Sequence, residues 1–483
     1  MHRLLIMNPL PPVKSAIARM QVAWSVLTGT PLHRSSLTQL VRQDPTSRVR
    51  PASQSSPFGR PKPQVMQRVQ ARLIRRQVQV ATRETDYYAD LFAHCGLNAQ
   101  EFRAAQMAEL PLTTKAAIRE RPQAFVRRGY QPTLCTMTTG TTGQGTTTFF
   151  TMRETQIFAL LTAWSMRQGG LISSADVVQN SSSARALLGN QTALDAFRHL
   201  GALVYQTGII DPALALALLA KQHALSGRKK QVSILTTYPS YLGKLLETGL
   251  TLGYGPQDFG LEQITIGGEV STPGLRQRSE ALFGPVRFDE GYGISEAWPF
   301  WGTYCAAGHL HFDPFRGLME LIDPDTGQPA QPGEAGSLVL TPFLPFRESA
   351  VLLRYDTGDL ARALGEPCLC SLSHLPATGP LLGKQQFCIH TQHGWFGPRD
   401  ILEVLEPNCA VPLPVRCGLW AMADGLGVAV TVRDFSATLR EQLTGQLQSA
   451  GIPVKTVQLV TDPAQLEHPL PWRGDLHERS FSD

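Results

Sequence analysis

The chain has 483 residues, 42% of them hydrophobic and 17% charged, with a formal net charge of +5. That length exceeds one ordinary compact domain, and the composition supports a sizeable core, which excludes a wholly disordered chain. No apolar run approaches the roughly 18 residues that a membrane-spanning helix needs.

At the N-terminus the basic residues Arg3, Lys14 and Arg19 are not followed by a continuous apolar stretch of the kind a secretory signal requires. Eight cysteines in such a chain predict a reducing compartment, with thiols free or metal-bound, and the expectation is a soluble cytoplasmic protein. Residues 1–85 carry 14 Lys and Arg against Asp44 and Glu84, a net +12, so the remainder of the chain is −7. A basic arm of this kind suits nucleic acid, an anionic membrane surface or an acidic protein partner, or is simply a solvated helix face joined to a linker. No aromatic residues alternate with the basic ones to stack on bases, which argues against nucleic acid. Periodicity predicts helices over about Val13 to Leu27 and Gln64 to Arg83, separated by a Pro/Ser/Arg/Gln-rich linker from Arg42 to Pro63.

After Asp86 the texture becomes that of an α/β protein. Helical patterns at Thr155 to Met166 and Ala213 to Leu225 alternate with short apolar strands at Leu203 to Gln206, Val232 to Thr236, Gln263 to Gly267 and Val286 to Asp289. That alternation predicts parallel strands with crossover helices on both faces. A β-rich stretch follows from Gly317 to Ala363. The last hundred residues read as a helix at Pro398 to Leu405, strands around Gly427 to Val432 and Lys455 to Val460, and a helix at Ser436 to Ala450.

The first motif that carries chemistry is Thr138-Thr139-Gly140-Thr141-Thr142-Gly143, which precedes the strand-like run Thr147 to Thr151. Glycines let successive backbone N–H groups converge on an anion, and threonine hydroxyls add donors, so a phosphate chain is a natural ligand. Gly140 and Gly145 have the spacing of a Walker A loop, but Thr146 stands where its lysine must be, which rules that motif out. A polar hairpin turn remains the alternative for the loop taken alone.

Further segments occur in order along the chain: Tyr87-Tyr88-Ala89-Asp90-Leu91-Phe92, Leu110-Pro111-Leu112-Thr113-Thr114-Lys115, Tyr238-Pro239-Ser240-Tyr241, Gly267-Gly268-Glu269, Gly291-Tyr292-Gly293-Ile294-Ser295-Glu296 and Arg354-Tyr355-Asp356-Thr357-Gly358-Asp359. As an ordered set they resemble the adenylate-forming superfamily, in its phenylacetate–CoA ligase-like branch, over roughly Val69 to Leu405. The resemblance implies an α/β fold. A large N-terminal adenylate-forming domain (66–382, after a basic extension 1–65) would hold mixed, largely parallel sheets flanked by helices, and a small, mobile α+β C-terminal domain would cover 383–483. It implies ATP-dependent activation of a small carboxylic acid to an acyl-adenylate, with CoA, a carrier-protein thiol or an amine as acceptor.

By the same resemblance, Thr138 to Gly143 cradle the phosphates, with Thr139 and Thr142 donating to them. Gly268, Glu269, Tyr292, Gly293 and Ser295 line the nucleotide, Asp359 takes the ribose hydroxyls, and Lys384 is the cation that survives at the hinge. Glu296 would hold Mg²⁺, for which a carboxylate oxygen is the fitting ligand. The acid would lie beside Tyr238, Gly267 and Trp298, and Phe300 and Trp301 nearby favour an aryl or other apolar acid unless they are core residues. A Cys-x-Cys pair follows the Asp359 strand in this branch too. Here it is Cys368 and Cys370, which with Cys305 and His311 would make a Cys₃His set suited to structural Zn²⁺. Free thiols and a surface histidine (His309 or His311) are the alternative.

Three departures stand against the resemblance. Gln144-Gly145 replaces the branch's Lys-Pro in the phosphate loop, Gly383-Lys384-Gln385-Gln386-Phe387 lacks the acids of the usual hinge, and no lysine follows Lys455. The family's C-terminal lysine, which reaches the α-phosphate, is represented only by Arg473 in Pro471-Trp472-Arg473-Gly474. The expectation is therefore a carboxylate-activating ligase. Its alternative is a catalytically impaired homologue that serves as a binding or scaffold partner in a biosynthetic complex.

Overall fold

The computed structural model describes residues 11–42, 62–138, 145–182 and 187–471. Residues 1–10 and most of the expected Arg42–Pro63 linker lie outside them. Helices α1 (Pro11–Thr28), α2 (Arg34–Val41), α3 (Pro63–Glu84) and α4 (Asp86–His94) come first, followed by the short α5 (Lys115–Glu120). The segment read as a basic arm is largely a docked helical layer: Val22 and Val26 of α1, Leu37 and Leu40 of α2, and Val78 of α3 are buried in one cluster with later residues such as Trp164. On its other side α1 exposes Ile17, Met20 and Trp24. The sequence reading missed α2, whose Arg-Ser-Ser-Leu-Thr-Gln-Leu-Val run is short and polar; packing on α1 and on the later helix Met152–Gln168 holds it.

Strands β1 (Leu134–Met137) and β2 (Thr147–Phe150) form an antiparallel hairpin that closes on the Thr/Gly loop and leads into α6 (Met152–Gln168). Thr151 caps α6 in a capping box with Glu154, whose carboxylate is 1% exposed and also binds Arg347 at 2.7 Å and the Ser349 N–H at 2.9 Å. Arg347 in turn donates to the Phe149 carbonyl at 2.8 Å, so a buried ion pair pins the base of the loop hairpin. Buried pairs of this kind fix geometry more than they add stability.

The central sheet is built by strict alternation: β3 (Val177–Asn180), α7 (Leu187–Leu200), β4 (Leu203–Gln206), α8 (Pro212–Ala220), β5 (Ile234–Thr237), α9 (Pro239–Thr251), β6 (Gln263–Gly267), α10 (Pro273–Phe283) and β7 (Arg287–Tyr292). The helix expected to reach Leu225 stops at Ala220, because Lys221 is extended and a turn-rich loop follows, tied by the His223 N–H to the Lys230 carbonyl. Strands β8 (Gly302–Tyr304), β9 (Leu310–Phe312) and the later β13 (Ala377–Thr378) extend the sheet antiparallel, giving the order β13-β9-β8-β7-β6-β5-β3-β4. A second, antiparallel sheet has the order β10-β11-β12-β14. It comprises β10 (Gly317–Ile322), β11 (Ala335–Pro342), β12 (Tyr355–Arg362) and, after β13 (Ala377–Thr378), β14 (Leu381–Lys384).

The C-terminal part adds the ribbon β15 (Ile389–Thr391) and β16 (Gly394–Phe396), then α11 (Pro398–Leu405). A three-stranded sheet of β17 (Cys417–Met422), β18 (Gly425–Thr431) and β19 (Val454–Val460) follows, with α12 (Ala437–Ser449) packed on it. Its apolar residues, including Val428 and Leu443, share one cluster with Leu242 and Leu246 of α9.

At that junction Glu406, just past α11, is 3% exposed and accepts the hydroxyl of Thr272, the N-cap of α10. Burial pushes its carboxyl up to about 7, against the pull of Thr272 and Arg278. The folded value thus lies above the unfolded one, so the neutral acid favours the folded state at low pH. That contribution fades as pH rises from about 4.5 through 7. Glu406→Gln is expected to gain stability relative to the parent protein between pH 5.5 and pH 8, measured as urea midpoints; a difference independent of pH would remove Glu406 from this role.

Candidate active site

Strands β6 and β7 end side by side at the carboxyl edge of the parallel sheet, where α/β folds place ligands. A side chain at Gly267 would meet the Gly291 carbonyl oxygen at 2.9 Å, and Gly268 has φ +83°, so both positions need glycine. Beyond them lies a cavity of about 150 Å³ lined by Gly268, Tyr292, Gly293, Asp359, Lys384 and Leu470, among others.

Asp359 is the hub of this cavity. Its Oδ2 accepts the Tyr292 hydroxyl at 2.8 Å and the Lys384 ammonium at 2.7 Å, the latter placed by the β12–β14 register that pairs Asp359 with Lys384. Lys384 also donates to the Thr357 carbonyl at 3.3 Å. Burial, then the Asp359 charge, raises the Tyr292 phenol well above its ordinary value, so it remains a hydrogen-bond donor.

Glu296 follows β7 in a buried loop and accepts the Tyr355 hydroxyl at 3.0 Å. Lys115 joins this group, although the sequence reading quoted it only as the end of an opening segment. Burial and the neighbouring Lys384 charge lower its ammonium, while Glu296 and Asp359 raise it, so four charged groups share one field. The backbone explains its arrival: the Thr113 N–H donates to the Arg354 carbonyl at 2.9 Å and the Asp356 N–H to the Thr113 carbonyl at 3.0 Å, stitching the segment to the start of β12. The Thr-Thr-Lys capping pattern was the available signal, with Thr114 capping α5 and Lys115 as its first residue.

The other expected site residues divide. Thr138 closes the loop hairpin, its N–H donating to the Thr146 carbonyl at 3.1 Å and its Oγ1 accepting the Thr146 N–H at 3.0 Å. Thr139, Gly140, Thr141, Thr142 and Gly143 lie outside the described residues, as does Arg473. Glu269 uses its carboxylate to bind the first turn of α9, taking the Ser240 N–H at 2.8 Å and hydroxyl at 2.9 Å. Tyr238 precedes that helix and is buried. Trp298 covers Gly293, where a Cβ would meet its ring at 2.6 Å, and packs on Trp301 at 5.3 Å. The Ser295 carbonyl accepts the Trp298 N–H at 3.4 Å. Phe300 is core, 1% exposed.

Cys305, His311, Cys368 and Cys370 converge, with all four ligand atoms within 4.8 Å of one another. Cys305 Sγ and Cys368 Sγ are 3.8 Å apart and Cys370 Sγ is 3.4 Å from His311 Nε2. A tetrahedron with metal–sulfur bonds of about 2.3 Å has edges of about 3.8 Å, whereas a disulfide needs about 2.05 Å. Burial also lowers His311, favouring the neutral imidazole that ligates.

No protein-family model matches the chain. The phenylacetate-coenzyme A ligase of Thermus thermophilus is 26% identical over 336 residues, 65% of this chain and 69% of that protein. That of Pseudomonas putida is 28% identical over 294 residues, 57% of this chain and 62% of that protein. The matched stretch thus spans about two thirds of these relatives. Among solved structures, a 2-hydroxyisobutyryl-CoA ligase in the postadenylation state, in complex with R3-HIB-AMP, superposes with a TM-score of 0.68 at 18% identity. That superposition covers 85% of this chain and 90% of the other, a likeness of fold. No helix among the described residues is long and apolar enough to cross a membrane.

Proposed function

We propose that this chain, which belongs to the phenylacetate–CoA ligase-like branch of the adenylate-forming superfamily, activates a carboxylic acid with ATP and passes the acyl group to CoA. The observation that carries this reading is the Tyr292–Asp359–Lys384 cluster with Lys115 and Glu296, set at the carboxyl edge of the parallel sheet.

In the first step a carboxylate oxygen bonds to the α-phosphorus, the bond to the β-phosphate oxygen breaks, and pyrophosphate leaves. Little covalent chemistry falls to the protein, so its work is positioning and charge stabilisation. Asp359 accepts the ribose hydroxyls, Tyr292 and Gly268 flank the adenine, and the loop Thr138 to Gly143 cradles the phosphates, with Thr139 and Thr142 as donors. Lys115 and Lys384 offset negative charge as it builds on the departing phosphates. Glu296 would hold the magnesium that neutralises them, a carboxylate oxygen being a suitable hard ligand. In the second step the CoA sulfur bonds to the acyl carbon and AMP departs; the hinge for the change between steps is Gly383–Lys384, at the boundary of the C-terminal unit.

ATP–pyrophosphate exchange over a panel of carboxylic acids, with mass analysis of the CoA product, tests the reading. Acid-dependent exchange and an acyl-CoA are expected; nucleotide binding without exchange would favour the scaffold alternative.

The Cys₃His cluster fits zinc by donor chemistry and spacing, and the reading assigns it a structural role in holding the segment after β12 against β8 and β9. One equivalent of zinc is expected in the purified protein by elemental analysis. Structural zinc contributes apparent free energies of about 10–16 kcal/mol in small domains, so chelation or Cys370→Ser is expected to lower the unfolding temperature. Added zinc should restore the chelated parent protein only. A metal-free protein of unchanged stability would count against the site.

A further inference from the structure

Between covering helices a parallel sheet is expected to be apolar on both faces. One row of this sheet is not. Residues opposed in parallel strands project to the same face, and the register aligns Gln206, Asn180, Thr236, Thr265 and Asp289 across β4, β3, β5, β6 and β7. The face is the one under α6 and α7: two residues earlier, Val178 and Ile234 pack with Phe197 of α7 and Met166 of α6.

The two ends of the row differ. At β3 and β4 the amides satisfy one another, Asn180 Nδ2 donating to Gln206 Oε1 at 2.8 Å and to Asn190 Oδ1 of α7 at 2.7 Å. Toward β7 the network stays open. Among the described residues the buried Thr236 hydroxyl has no hydrogen-bond partner. Thr265 accepts from Gln263 Nε2 at 2.9 Å, which leaves its proton to give. Among the described residues the Asp289 carboxylate accepts no hydrogen bond; burial pushes it above the usual carboxylate range and Arg287 pulls it back. Yet Thr236, Thr265 and Asp289 are each only half-buried in the middle of central strands, so the helices cover this row incompletely.

The next row toward the strand ends is Gly267 and Gly291. A Cβ at Gly291 would meet only the Gly302 carbonyl oxygen, at 3.4 Å, so the sheet is bare there. Gly291 also lines the cavity around Asp359, so the bare edge beside the polar row adjoins that cavity.

We propose that the acid's subsite runs from the Gly267–Gly291 edge along the α6 face of the sheet to Asp289, and that the acid carries a hydrogen-bond donor, a hydroxyl or amino group, at its far end. The proposal rests on the acid-activating reading above and names its substrate class. Two strand residues separate the rows, about 6.6 Å, which is the length of a para-substituted benzoate or a short ω-hydroxy or ω-amino acid. A site with polar groups awaiting a partner rejects the analogue that lacks one, because binding then buries those groups unpaired.

The test compares 4-hydroxybenzoate and 4-aminobenzoate with benzoate and 4-methylbenzoate in acid-dependent pyrophosphate exchange, using the parent protein, Asp289→Ala and the near-isosteric Thr236→Val. Donor-bearing acids are expected to be preferred at least ~10-fold in kcat/KM, and the ratio should collapse in Asp289→Ala and shrink in Thr236→Val. A parent protein that handles benzoate or 4-methylbenzoate as well, or variants that keep the parent ratio, would overturn the subsite. Should no acid support exchange, the acid-activating reading fails separately. Saturation-transfer NMR with the same acids then decides: donor-selective binding lost in Asp289→Ala supports the subsite, and equal binding of all four acids overturns it.

Discussion

Replacing Asp359 by alanine is expected to lower ATP–pyrophosphate exchange by about 10²–10³-fold in kcat/KM, or roughly 3–4 kcal/mol, the range seen when a preorganised charge-stabilising group is deleted. Two losses add. In the proposed reading the ribose loses its acceptor, and Lys384, held 2.7 Å from Asp359 in the folded protein, loses the partner that aims it. The Tyr292 hydroxyl is also left buried without an acceptor, costing about 1–3 kcal/mol of stability. Tyr292→Phe separates these effects: it removes only the hydroxyl and should cost no more than about tenfold in exchange. If Tyr292→Phe is as damaging as Asp359→Ala, Asp359 acts through the tyrosine rather than on the nucleotide. If Asp359→Ala exchanges normally with its fold intact, the cavity is not the nucleotide site.

How legible this site was depends on the range of the contacts that build it. The sequence placed β6, α11 and β19 within a residue or so, because hydrophobic period and Gly/Pro punctuation are local. Asp359, Tyr292, Glu296 and Lys384 were legible as motif positions, and the folded chain brings the first two within a hydrogen bond. The four metal-ligand candidates were legible too, since their residue types are rare. Lys115 was not, because its role depends on a backbone pairing between Thr113 and β12 that no local pattern encodes. The same holds for Glu154, which reads as a helix cap and is also half of a buried ion pair with Arg347, and for Asp289, which reads as the end of a strand. The polar row needs five strands in register, and register is set by the whole sheet. Glu269 carries a contact its motif does not encode: its carboxylate also binds the first turn of α9.

The absent C-terminal lysine leads to the second large expectation, Arg473→Ala. Leu470 and Pro471 line the cavity around Asp359, held there by the Leu470 N–H donating to the Cys417 carbonyl at 2.9 Å. In the proposed reading Arg473, two residues beyond Pro471 in the sequence, is the cation that meets the α-phosphate, alongside Lys115 and Lys384. Arg473→Ala should then lower adenylation by about 10²–10³-fold, chiefly in kcat, because the contact strengthens as charge develops. Thioester formation from a supplied acyl-adenylate should be nearly unaffected. Arg473→Lys tells charge from shape: an ammonium is a compact point charge and a guanidinium a planar fork, so recovery by lysine means charge suffices, and failure means the fork is needed. Full exchange activity in Arg473→Ala would assign the whole task to Lys115 and Lys384, and Lys115→Ala should then abolish it.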